Sequence, residues 1–185
     1  MAMPQPHTEW TLDMVLALPD DGNRYELLDG ELLVSPAPTW RHQTVLIRLL
    51  MLVQPYVDAL GGYATLIAPA TVTFTPRRQF EPDLFVVPRL PNGHMPSRFE
   101  DVGRLLLAAE VLSPATVRND RYKKRAVYQQ QGVPEYWLLD PDARLVERWR
   151  GTDSAPDILL TTLAWQPDPN YPPLFIEVET LLQDP

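Results

Sequence analysis

Apolar positions recur with two different periods along this chain, and the switches between them mark its elements. Leu12, Val15, Leu16 and Leu18 predict a short helix over Thr11–Leu18, with Thr8 or Thr11 as its cap and Pro19 as its stop. Two apolar runs in Tyr25–Pro36 flank Asp29-Gly30, which predicts a β-hairpin, and Pro36 and Pro38 end its second strand. A helical stripe of Leu46, Leu49, Leu50, Val53 and Val57 follows, in a helix predicted to run from His42 to about Leu60 and to stop at Gly61-Gly62. The period then shortens. Tyr63–Ala68, Thr71–Thr75 and Asp83–Val87 read as strands, and Arg89–Gly103 reads as a long polar loop.

Leu105–Leu112 has the composition of a central, buried strand. A helix over Asp120–Gln131 follows it, closed by Gly132 with Pro134 beyond. Tyr136–Leu139 reads as a second buried strand, with Tyr136 and Trp137 in the core. The turn Asp140-Pro141-Asp142 leads from it into the half-exposed strand Arg144–Arg150. Ile158–Ala164 reads as another strand, and Leu174–Leu182 as a short strand or helix. The order is irregular, so a mixed α/β (α+β) fold is expected, with a mainly antiparallel sheet and one domain over residues 1–185.

Composition narrows the chemistry. The chain has no cysteine, which excludes disulfides, thiolate metal sites and cysteine nucleophiles. Its three histidines are far apart, so a multi-histidine zinc site is not expected. The N-terminus lacks a basic start and an apolar core, and Val45–Leu60 is interrupted by Arg48, Pro55 and Asp58, so neither a signal peptide nor a membrane span is expected. A soluble, cytoplasmic protein is the expectation. The net charge is −8, unusual for a protein that lives by phosphate contacts. Locally the balance reverses: Arg118–Arg125 holds five basic residues, including the only two lysines, against one aspartate. A solvated helix face accounts equally well for that cluster.

No glycine-rich phosphate loop, G-x-S-x-G or H-E-x-x-H motif is present, which leaves the carboxylates. Glu110 stands alone in an apolar run, where an unpaired charge is costly. Asp83 follows Glu81-Pro82 at the mouth of another strand. If the two strands are neighbours, both carboxylates reach one sheet edge and suit Mg²⁺ or Mn²⁺, with the Val111 carbonyl as a further oxygen. The plainer alternative has Asp83 capping a strand end and Glu110 paired with an arginine such as Arg104.

The ordered set Pro82-Asp83, Glu110-Val111-Leu112-Ser113-Pro114, Asp120-Arg121-x-x-Lys124-x-x-x-Tyr128 and Gly132-Val133-Pro134-Glu135-Tyr136-Trp137 resembles the Uma-type restriction-endonuclease family of the PD-(D/E)xK nuclease superfamily. Tyr25–Leu32 and Pro36-x-Pro38…His42 fit the same family, and the resemblance runs from about Thr11 to Leu182. It implies a restriction-endonuclease-like core and Mg²⁺- or Mn²⁺-dependent hydrolysis of DNA phosphodiesters. Asp83 and Glu110 would hold the metal. The superfamily pattern places a lysine two residues after the glutamate, on the same strand face; here that position is Leu112. Lys124 resembles the relocated lysine of this family, with Tyr128 one turn on. Lys123 points about 100° away around a helix and is left as a surface residue. His42 and Glu26 are further candidates, the first otherwise a cap-region or surface residue, the second otherwise an arginine partner. Arg118, Arg121 and Arg125 are the expected phosphate contacts, and a homodimer is plausible for a nuclease that cuts two strands. Two other functions stay open: a non-catalytic module that binds nucleic acid or protein, favoured by the acidic charge and Leu112, and a metal-dependent hydrolase of RNA or small phosphoesters.

Overall fold

The Asp29-Gly30 hairpin joins β1 (Arg24–Leu28) to β2 (Glu31–Ser35), and both turn residues take the positive φ that a two-residue turn of this kind demands (49° and 93°). Ahead of it lies α1 (Leu12–Leu16), capped by the Thr11 hydroxyl, which accepts from Met14 N. The structure is a computed structural model that describes residues 9–184; Thr8, the other candidate cap, lies outside the described residues.

α2 (Trp40–Leu60) starts two residues before the predicted His42, because Thr39 caps it: its hydroxyl accepts from His42 N at 3.2 Å. Val45, Leu46, Leu49, Val53 and Val57 form its buried stripe, and it ends at Gly61 in the left-handed conformation. Then come β3 (Tyr63–Ile67), β4 (Val72–Thr75), β5 (Arg78–Phe80), β6 (Leu84–Pro88) and β7 (Leu107–Val111). The short strand β5 was not anticipated. The loop after β6 carries a 3₁₀ turn at Phe99–Asp101, whose buried Phe99 pins it to the core.

The expected Asp120–Gln131 helix is two structures: a π-helical turn at Asn119–Lys124 that runs into α3 (Arg125–Gln130). After it come β8 (Glu135–Asp140), β9 (Leu145–Arg150), β10 (Asp157–Leu159), β11 (Thr162–Trp165), β12 (Leu174–Glu177) and α4 (Val178–Leu182). The single strand expected over Ile158–Ala164 is therefore divided. β10 joins the large sheet, whereas β11 pairs with β12 in a separate ribbon. The last expected element is a strand and a helix in succession.

The large sheet has six strands in the order β10-β9-β8-β7-β6-β3, antiparallel except for the β7–β8 pair. That pair is parallel because the π turn and α3 carry the chain back across the sheet between them. A second, antiparallel sheet has the order β2-β1-β5-β4. Period-two alternation divides the core. Leu84, Val86, Leu107, Ala109 and Trp137 face α2 and α4. Phe85, Val87, Ala108, Leu112, Tyr136 and Leu138 face the other way and pack with Val127 and Tyr128 of α3 and Phe80 of β5. Tyr136 and Trp137 are core residues, as expected. Among the described residues no helix is long and apolar enough to cross a membrane.

Candidate active site

The β6–β7 register brings the two carboxylates together. Phe85 is paired with Ala108 and Leu84 with Ala109, so one step further along the ladder Asp83 meets Glu110. Both follow the parity of Phe85 and Ala108 and so face α3 and the smaller sheet. The Asp83 amide donates to Glu110 Oε2 at 3.3 Å, and each residue is only 2% exposed.

Asp83 is held by three donors. Arg24 Nη2 reaches Oδ1 at 2.8 Å, His42 Nε2 lies 2.9 Å from Oδ2, and the Val111 amide donates to Oδ2 at 2.8 Å. Burial pushes its carboxyl up. The hydrogen bond and charge of His42, the Arg24 charge and the Val111 amide outweigh that and hold it far below the usual carboxylate range.

Glu110 is paired with Lys124. The ammonium lies 3.0 Å from Glu110 Oε1, 2.8 Å from Glu26 Oε2 and 3.4 Å from Asp120 Oδ1. Tyr128 donates to Glu110 Oε1 at 3.5 Å, and Glu26 Oε1 accepts from the Glu81 amide at 2.8 Å. Glu110 thus pairs with Lys124, not with Arg104. Leu112 takes the same strand face as Glu110 and packs into the aromatic core, and the amine that Leu112 lacks arrives from the π turn. The wider turn also places Asp120 beside the ammonium. Lys123 instead pairs with Glu31 at the surface.

Negative charge is in surplus here. Glu26, Asp83, Glu110 and Asp120 are all buried, and the cations in contact with them are Lys124, Arg24 and, when protonated, His42. Burial, together with Asp83, Asp120 and Glu26, pushes the Glu110 carboxyl well above its ordinary value, although Lys124 opposes the rise. Burial raises Asp120 as well. Lys124 is disfavoured by burial but surrounded by Glu110, Glu26 and Asp120, so it stays firmly protonated. Among the described residues the buried His42 Nδ1 has no hydrogen-bond partner, and Asp120 Oδ1 has only its ion pair with Lys124.

Asp83, Glu110, Lys124, Asp120, Arg24 and His42 form the floor of a cleft of about 200 Å³, with Glu26 and Tyr128 behind them. Its walls are Pro36–Thr39 ahead of α2 on one side and Ser113–Thr116 on the other, with Val111 between them. The structure therefore gathers Asp83, Glu110, Lys124, His42, Glu26, Tyr128 and Val111 in one place. It does not gather the three arginines there. Arg121 is bound to Glu147 at 2.6 Å and Asp140 at 2.8 Å. Arg125 donates to the Arg121 carbonyl and to Gln129, and stacks on Trp149. Arg118 is exposed. Sequence reasoning missed two contributors, Arg24 and Asp120. Asp120 had a signal, its i, i+4 spacing to Lys124. Arg24 had none, because its contact with Asp83 depends on how the smaller sheet docks.

For a hard divalent cation the donor chemistry fits: carboxylate oxygens, an unpartnered imidazole nitrogen and a surplus of negative charge. Among the described residues, no group of three or more acidic or histidine side chains is drawn together as a ready-made cage. An ion would be held by the two carboxylates plus backbone, water or phosphate oxygens, which is how Mg²⁺ is usually bound.

None of the curated proteins matches the chain. A solved structure does: a protein from Anabaena variabilis described as "a putative nuclease belonging to DUF820". It shares 22% identity at a TM-score of 0.75, with 94% of this chain and 97% of that one covered. This likeness shows the fold. The family model "Uma2: Putative restriction endonuclease" matches residues 12–158, which span both carboxylates, the π turn and the cleft. The chain belongs to the Uma2 family.

Proposed function

We propose that this protein is a metal-dependent endonuclease that hydrolyses DNA phosphodiester bonds. The observation that carries this reading is the convergence of Asp83, Glu110 and Lys124 on the floor of one open cleft in a chain of this family. Asp83 and Glu110, with the Val111 carbonyl, are the groups assigned to Mg²⁺ or Mn²⁺. When bound, the ion would stabilise charge on the phosphate and acidify a water molecule. Lys124 orients the attacking water and offsets charge that develops as water adds to phosphorus and one P–O ester bond breaks. Tyr128 and Glu26 hold the ammonium and Glu110 in register, and His42 with Arg24 holds Asp83. Arg118, which is exposed, would take a backbone phosphate; Arg121 and Arg125 would first have to leave their internal partners. The exposed Ile47, Met51 and Phe175 side chains offer a surface for the homodimer.

A Mn²⁺-supported cleavage assay on DNA tests this. Wild type should cut, and Asp83→Ala and Glu110→Ala should not. Equal activity in all three overturns the proposal. The second reading, a non-catalytic module, is favoured by the saturation of Asp83 with internal donors and the lack of a ready-made cage. Calorimetry with Mn²⁺ separates the two, because a retired site would take up no ion.

A further inference from the structure

Helix α2 has a second apolar face. Opposite the buried stripe of Val45, Leu49 and Val53 stand Trp40, Thr44, Ile47 and Met51, spaced i, i+4, i+7 and i+11, so they share one side of the helix. Trp40 is 91% exposed and Met51 70%, and Ile47 is exposed as well. Gln43 and Gln54 flank this stripe, and it carries no charge in a chain whose net charge is −8. Two copies of so acidic a chain repel each other, and an uncharged face is where they can meet.

Beside Met51 the surface holds a groove of about 380 Å³ between α2 and the β12–α4 corner, lined by Arg48, Met51, Leu52, Phe175, Glu177 and Leu181. Its chemistry suits an indole. The exposed Leu52 and Phe175 side chains give it apolar walls. The Arg48 guanidinium is tied to the carbonyls of Leu181 (3.4 Å) and Gln183 (2.6 Å), so its plane is set for stacking on a π face. Glu177 is an exposed carboxylate, and a carboxylate already takes an indole N–H in this fold: Trp137 Nε1 donates to Glu135 at 2.7 Å. Trp40 cannot fill the groove of its own chain, because the rise of α2 puts it roughly 16 Å from Met51. A face that carries both a projecting indole and a recess for one is complementary to itself, which is what a two-fold interface requires.

We propose that Trp40 of one copy seats in the groove beside Met51 of a second copy, and reciprocally, with the two α2 helices antiparallel across a two-fold axis. This rests on the homodimer of the nuclease reading above and deepens it by naming the anchor and its receptor. Trp40 and Phe175 would together bury roughly 300 Å² per copy, a large part of the ~800 Å² that a standard interface takes from each partner, and Ile47 and Met51 add to it. Each α2 begins at Thr39 in a cleft wall, so the pairing sets two clefts in a fixed relation on one assembly.

Sedimentation equilibrium of the full chain tests this. Wild type should be a dimer of the 21.1 kDa chain at micromolar concentration. Trp40→Ala and Met51→Asp should each weaken dimerisation about 30-fold or more, with the circular dichroism of wild type retained. A mixture of the two variants should associate more tightly than either alone. The Met51→Asp copy still offers its indole, and the Trp40→Ala copy still offers its groove, so one of the two contacts returns. Variants that dimerise like wild type overturn the inference, and so does a mixture no tighter than its parts. Wild type that stays monomeric overturns it too and leaves the face to a different protein. A monomer that cuts plasmid DNA with Mn²⁺ leaves the nuclease reading standing without this interface, whereas a dimer that takes up no Mn²⁺ in calorimetry keeps the interface and defeats that reading.

Discussion

Replacing Lys124 with methionine should expose how the site is held together. The ammonium is buried and lies 2.8, 3.0 and 3.4 Å from Glu26, Glu110 and Asp120. A contact near 3 Å is worth roughly 5 kcal/mol of Coulomb energy at the effective dielectric of protein sites, before desolvation is subtracted. Removing one partner of a buried pair typically costs about 3–5 kcal/mol, because the other charge is left uncompensated. Lys124→Met leaves three such charges, so a loss at the upper end of that range is expected at pH 8. The sign of the pH dependence follows from Glu110. Its folded-state carboxyl already lies above its ordinary value through burial and its acidic neighbours. Without the ammonium it binds a proton more tightly still. Stability in the variant is therefore greatest below the ordinary glutamate pKa and falls as pH rises towards the raised folded value. Urea melts of wild type and variant at pH 5 and pH 8 measure this, and Lys124→Met/Glu110→Gln should recover part of the loss at pH 8. A loss below about 1 kcal/mol at pH 8, or one that shrinks as pH rises, refutes the charge accounting.

Three further outcomes are expected. Mn²⁺ at 100 times its dissociation constant should stabilise wild type by about 2.7 kcal/mol in thermal melts, and Glu110→Gln should abolish that gain. Metal-free Glu110→Gln should melt no lower than wild type at pH 8, because it removes one charge from a site with a surplus of them. Arg118→Ala should weaken DNA binding and reduce the salt slope by about one, whereas Arg121→Ala, which loses Glu147 and Asp140, should cost about 1 kcal/mol of stability and leave the slope unchanged.

Local rules made most elements legible, and tertiary docking hid the rest. The Asp29-Gly30 turn and the α2 stripe are nearest-neighbour features, so they appear where residue patterns place them. Strand β5 has only three residues, Arg78–Phe80, too few for a period to show, yet it seats Phe80 against Tyr128. The π turn is hidden for another reason. Asn119–Lys124 has ordinary helical composition, and only the pull of Glu110, Glu26 and Asp120 on one ammonium reveals why a wider turn is kept there. Arg121 shows the reverse case: its charge was legible but its partners were not, since Glu147 and Asp140 come from β9 and the end of β8.

The displacement of the lysine from strand to helix has a consequence for the cleft. A lysine at position 112 would stand on β7, fixed by the same sheet that fixes Glu110. Lys124 instead belongs to a turn whose bonds to the site are electrostatic: two carboxylates from the two sheets and one from the turn itself. Its position therefore depends on the charge state of those groups in a way that a strand lysine's would not. Under the proposed assignment, a divalent cation on Glu110 would share that carboxylate with the ammonium, and Glu26 and Asp120 would remain to hold Lys124. On that assignment the two further carboxylates, Glu26 and Asp120, have a use of their own. Asp83 and Glu110 would hold the ion, and Glu26 and Asp120 would keep the lysine beside them with or without it. Glu26→Gln is the discriminating variant. It should leave Mn²⁺ affinity within a few-fold of wild type while it lowers turnover, and a loss of Mn²⁺ affinity as large as that of Glu110→Gln would place Glu26 among the metal ligands instead.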